Sequence, residues 1–216
     1  MKLYKNTLII SVIVFLICVL LSCVFELTCI SRLPIIAFLS DYMIGIACSI
    51  IVVIITTFLQ FKYEQKKLLN SILQDVQSFL FYYVLIAISL NPDEQASSKS
   101  WEYYYDEVYG ETKKISLKLS DVEWFSKKNS KIAFNLRKAV LNIMVDLAKP
   151  SVENKKKALM DTLQSSWLKE INDNALLLAN YNEYVAKEIK ENYKKIELEL
   201  KSYNTKKVDN KCLGGV

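Results

Sequence analysis

The side chains able to do chemistry are few, and they gather in one stretch, WEYYYDEVY at positions 101–109. On a helix, Glu102 and Asp106 share a face, with Glu107 close by. A carboxylate pair of this kind can move a proton or hold a cation. No further ligand follows at a usable spacing, so a solvated acidic face is the expected role. The same stretch holds the densest aromatic group of the chain. Trp101, Tyr105 and Tyr109 recur at i, i+4 and i+8 and line one side of a helix. Such a stripe can anchor a protein partner or stack on bases. It can also be a core face packed on the apolar segment 79–90, and that is the expectation. The three remain the candidate partner-binding residues.

Beyond this stretch the chemistry thins out. The chain has no histidine, which removes imidazole bases, Ser/His and Cys/His nucleophile pairs and His metal ligands together. Its cysteines, Cys18, Cys23, Cys29, Cys48 and Cys212, form no CxxC pair. Buried thiols are expected rather than a metal site or a Cys23–Cys29 disulfide. No Gly-rich phosphate loop and no paired-aspartate motif is present. Lysines recur at 113–114, 127–128, 131 and 155–157; they could meet lipid headgroups or nucleic-acid phosphate, but solvated helix surface is expected. These absences predict a chain that is not an enzyme, with no cofactor, no metal and no small-molecule substrate.

The elements that hold these residues are of two materials. Residues 8–60 carry only Glu26, Arg32 and Asp41 as charges, whereas 25 of 28 basic and 21 of 23 acidic side chains lie beyond position 61. Residues 8–25 (LIISVIVFLICVLLSCVF) and 42–61 (YMIGIACSIIVVIITTFLQF) contain no charge. A hydrocarbon core about 30 Å thick takes about 20 such residues as a helix, so both stretches qualify as spans. Lys2 and Lys5 precede the first, Lys62, Lys66 and Lys67 follow the second, and Arg32 alone lies between. The positive-inside rule then sets both termini in the cytoplasm. Tyr4, Tyr42 and Tyr63, with Lys62, Lys66 and Lys67, are the expected interfacial anchors. A rival reading takes Leu20-Leu21-Ser22-Cys23 as a lipoprotein cleavage site. The apolar run is too long for a signal core and continues past the cysteine.

Gly45, Ala47, Ser49, Thr56 and Thr57 would permit close packing between spans. From Gly45 to Pro92 nothing interrupts a helix, so the second span is expected to run to about Leu90. That length is on the order of 65 Å by helical rise and would couple the soluble part to the membrane. Segment 79–90 (FLFYYVLIAISL) is too short to span and is expected to be core, with membrane contact as the alternative. Residues 91–100 read as a loop and 114–119 as an extended linker, because Ile115, Leu117 and Leu119 alternate. Ser120 with Glu123 has the form of a capping box, Leu119 and Trp124 supplying the staple. An amphipathic helix follows through Ile132, Leu136, Val140, Ile143 and Leu147 to a stop at Pro150, and Ser151 caps the next. Unbroken, that last helix would exceed 45 residues, and a kink or break is expected at Asn172-Asp173-Asn174.

The architecture predicted is all-α: an N-terminal transmembrane hairpin (1–61) joined to a cytoplasmic helical bundle with long helices (62–203) and a disordered tail (204–216). With chemistry and transport unsupported, the expected function is that of a membrane-acting effector or of a membrane-anchored adaptor that recruits a cytoplasmic partner. The layout of two spans (8–25 and 42–61), both ends inside and a compact helical domain resembles the small two-span effectors of bacterial anti-phage systems, those of retrons in particular. The resemblance implies a toxin of the inner membrane, held inactive by a reverse transcriptase with its reverse-transcribed DNA. Once released it permeabilises the membrane and ends the infection abortively. The bilayer, that complex and further copies of the chain are the partners so implied.

Overall fold

The computed structural model describes residues 2–27, 34–89, 101–120, 127–148, 154–180 and 182–213, with side chains described within 6–24, 38–39, 41–89, 101–120, 129–148, 154–180 and 182–205. These residues are almost wholly helical and include no strand. The order is α1 (Lys2–Leu27), α2 (Pro34–Ser89), α3 (Trp101–Ser120), α4 (Lys127–Ala148), α5 (Lys155–Leu163), α6 (Ser166–Leu178) and α7 (Glu183–Leu213). Two compact units divide the chain, Met1–Lys67 and Leu68–Val216, and α2 contributes residues to both.

In the first unit, α1 is rich in Ile and Val, residues with little helix propensity in water. They form a long helix where every backbone N–H and C=O must be satisfied within the segment. α2 begins at Pro34, a position whose missing N–H has no intrahelical acceptor to lose. The helix then continues without interruption to Ser89. Among the described residues of this unit only Cys18, Ser22, Ala47 and Thr57 are buried. All four are small, the class that lets helices approach closely.

The second unit is a bundle built around Ile72, Leu73, Val76, Phe79, Leu80, Tyr83 and Ile86 of α2, each fully or almost fully buried. α4 packs on α3 and α6, and α6 packs on α7. The segment beginning at Phe79 is core, as its length suggested; Leu90 lies outside the described residues.

Four expectations require correction. Residues 114–119 are not a linker but the last turns of α3. Ile115 and Leu119, one turn apart, are buried, while Leu117 is 63% exposed, so the apparent alternation is helical. Ser120 ends α3, its hydroxyl donating to the Leu117 carbonyl at 2.6 Å, and the next helix starts at Lys127. Residues 121–126, with the rest of the expected capping box, lie outside the described residues, as does Ser151.

The long final segment breaks at Gln164–Ser165 and again around Asn182, whereas Asn172, Asp173 and Asn174 are inside α6. Ile171 and Ala175 are buried there, and the Asn174 amide donates to the Glu170 carbonyl at 2.7 Å, so packing overrides poor propensity. At the true breaks side chains take up free backbone groups. Ser165 turns extended and its hydroxyl donates to the Thr162 carbonyl at the end of α5, and Asn182 caps α7 by accepting from the Val185 N–H at 3.3 Å. Finally, α7 continues to Leu213 where a disordered tail was expected after Tyr203.

Candidate functional site

The first unit presents apolar surface outward. The stretches Asn6–Val24 and Asp41–Ser89 contain helix long and apolar enough to cross a membrane, and only 11% of each most apolar window is buried. Ile10, Leu20, Val52 and Leu59 are all at least 60% exposed. A core helix of a water-soluble domain would bury such side chains. Two hydroxyls on α2 are satisfied by the helix's own backbone: that of Ser49 donates to the Gly45 carbonyl at 3.0 Å and that of Thr56 to the Val52 carbonyl at 2.9 Å. Neither of these two hydroxyls demands water.

The expected anchors on α2 are on its surface. Tyr42 and Tyr63 are more than 60% exposed, and Lys62, Lys66 and Lys67 are exposed as well. The Lys62 ammonium lies 5.7 Å from the centre of the Phe58 ring, its stem running back along the apolar face. The Tyr4 side chain lies outside the described residues. Cys18 is buried, and Cys23 and Cys48 are exposed free thiols; the Cys29 and Cys212 side chains are outside the described residues.

In the second unit the aromatic stripe divides. Tyr105 is buried in the core; its hydroxyl donates to the Leu147 carbonyl in the last turn of α4, a group with no intrahelical donor. Burial first, then the charge of Asp106, raises its pKa. The Lys155 ammonium covers the ring at 4.8 Å. Trp101 is half-buried against the core and Tyr109 is 37% exposed. Steps of four residues advance about 40° around a helix, so the three do not share one surface. Tyr103, outside the predicted stripe, is the more exposed ring at 47% and meets Tyr104 edge-on. Glu102 and Asp106 are exposed, and among the described residues no three carboxylate or thiol groups converge as a metal would require.

The sequence reading missed a set of polar ties between elements. The Tyr83 hydroxyl, wholly buried, donates to Thr162 Oγ1 at 3.0 Å, and that hydroxyl donates onward to the Leu159 carbonyl at 2.9 Å. Burial raises the pKa of Tyr83, so it remains a phenol and a donor. Between α2 and α3, the Lys118 ammonium sits 2.5 Å from Asp75 and donates to Ser71 Oγ at 2.7 Å. One turn earlier Lys114 pairs with the buried Glu111 at 2.7 Å. Tyr82 faces this seam, and burial, then Glu107 and Glu111, raise its pKa. The only sequence signal for these ties was a Tyr inside an apolar run and polar residues falling on otherwise apolar stripes.

A polar groove of about 380 Å3 runs between α2 and α7, floored in part by Gln77, whose amide donates to Glu188. Fold and surface together define a helical protein with an outward-facing apolar hairpin and a separately packed bundle. No known protein family, curated protein or solved structure matches the chain.

Proposed function

We propose that this chain is a membrane effector of an anti-phage abortive-infection system, multi-pass in the bacterial inner membrane with both termini in the cytoplasm. In the resting state a partner, a reverse transcriptase carrying its reverse-transcribed DNA, restrains it; on release, copies associate and the bilayer is permeabilised. One observation carries the reading: the first unit exposes its apolar surface, and the Ser49 and Thr56 hydroxyls on it bond their own backbone, as hydrocarbon surroundings would require. The Gly45–Ser49 face supports self-association, since a Cβ added at Gly45 would meet nothing within 4 Å. No catalytic step is needed in this reading, because the work is done by the spans themselves.

The adaptor reading is favoured by a different observation, the folded bundle with exposed rings such as Tyr103 and Phe81 on its surface. One experiment separates the two. Cells expressing the full chain without its inhibitory partner are followed with a potential-sensitive dye, beside cells in which an unrelated two-span anchor replaces residues 1–61. Depolarisation and growth arrest with the native hairpin alone support the effector. Equal function with either anchor overturns it in favour of the adaptor. Alkaline carbonate extraction and protease treatment of intact spheroplasts check the topology: the chain stays in the pellet and its C-terminal part is protected.

A further inference from the structure

The groove between α2 and α7 has a charge arrangement that one class of ligand satisfies. On α7, Glu188, Glu191, Asn192 and Lys195 fall at i, i+3, i+4 and i+7 and so point to one side. Glu188 is held in place: Gln77 donates to it across the groove, and the Tyr184 hydroxyl hydrogen-bonds it, which raises the Tyr184 pKa. Lys195 and Asn192, by contrast, have no side-chain partner among the described residues. The wall is aromatic, with Phe81 49% exposed and Tyr82 beside it at a ring separation of 6.3 Å.

A simple cation would meet Glu188 and the rings but be repelled by Lys195. A simple anion would meet Lys195 and be repelled by Glu188 and, less strongly, by Glu191, whose charge the Lys187 ammonium at 3.9 Å partly offsets. The two ends, Glu188 and Lys195, are separated by about 10 Å along the helix, a span that the Lys195 stem shortens because helical side chains lean toward the N-terminus. We infer that this groove binds a zwitterion of the α-amino-acid class with an aromatic or branched apolar side chain. Its ammonium is accepted by Glu188, its carboxylate is bound by Lys195 and Asn192, and its side chain lies on Phe81 and Tyr82. The site is independent of the hairpin and makes the bundle a receptor for a small metabolite. Because the groove is open to solvent, its charges are screened and weak binding, in the millimolar range, is expected.

The test is equilibrium binding of labelled L-phenylalanine and L-leucine to the full chain in nanodiscs, beside 3-phenylpropionate, which lacks the ammonium, and phenethylamine, which lacks the carboxylate. Saturable binding of the amino acids is expected, with each truncated analogue weaker by about tenfold. Lys195→Met lowers phenylalanine to the level of phenethylamine, and Lys195→Arg restores it. Lys195 ties no element together, so the variant keeps its helicity. Glu188→Gln also releases Gln77 and serves only as a second variant. No saturable binding up to about 10 mM overturns the inference, as do phenethylamine binding as tightly as phenylalanine and a Lys195→Met variant that binds unchanged.

Discussion

Leu20 in α1 and Leu80 in α2 are the same side chain on the same kind of helix, yet one is 64% exposed and the other fully buried. The difference extends over the two units. In Met1–Lys67 the only buried side chains described are small, and the large ones point out; in Leu68–Val216 the large ones point in and are tied together by polar bonds. Apolar content alone therefore separates neither unit from the other. What separates them is whether polar residues accompany the apolar ones at helical spacing. Around Leu80 stand Asp75, Gln77 and Tyr83, each with a partner on another helix. Around Leu20 no charged residue occurs from Asn6 to Val24. A helix with one polar face packs on its neighbours in water; a helix without one has no face to offer water at all.

That contrast can be broken most severely in the core. Phe79→Ala removes a fully buried ring that meets Tyr83 edge-on at 4.9 Å. It is expected to cost the bundle about 3–5 kcal/mol, read as a fall in thermal unfolding by circular dichroism. Leu20→Ala, which empties no packed site, leaves the same transition in place. Next in size is a charge in the hairpin. Leu16→Arg costs about 3 kcal/mol of membrane insertion and moves protein into the supernatant of a carbonate extraction. Leu177→Arg, at a comparably exposed site in α6, does not change that partition. Equal effects of the two would erase the distinction between the units.

Smaller changes sharpen it. Tyr83→Phe leaves Thr162 still bonded to the Leu159 carbonyl, so only one buried bond is lost, about 1 kcal/mol in denaturant unfolding. Gly110 lies in mid-α3 with helical geometry, and a Cβ there meets nothing within 4 Å. Gly110→Ala is thus expected to raise stability by about 0.5–1 kcal/mol. The smallest effect is at high pH. Burial, then Glu197, lift Tyr193 from 10.0 to about 12 in the folded chain. The folded state holds this proton more tightly than the unfolded one, so the contribution is complete below pH 10.0 and declines as pH rises toward about 12. Tyr193→Phe flattens that part of the stability curve.

Much of this was legible beforehand. The two charge-free stretches, the uninterrupted helix from Gly45 to Ser89 and the core role of the segment at Phe79 all follow from composition and length. Less legible were the helix ends. Asn172-Asp173-Asn174 has the composition of a break and Gln164–Ser165 does not, yet buried Ile171 and Ala175 keep the former helical. The alternation at 115–119 misled for a related reason: two-residue and four-residue spacing share Ile115 and Leu119, and only the exposure of Leu117 tells them apart. The aromatic stripe was found, but its division between core and surface was not, because the rotation of α3 against α4 is set by partners far away in sequence.

The sequence by itself determined which solvent each part of the chain prefers, since transfer free energies are sums over residues and need no knowledge of neighbours. Only the tertiary structure decided which polar groups meet: Tyr83 with Thr162, Lys118 with Asp75, Gln77 with Glu188. These pairings depend on helix rotation and register, which arise from packing among several elements at once, and no local window of sequence contains that information.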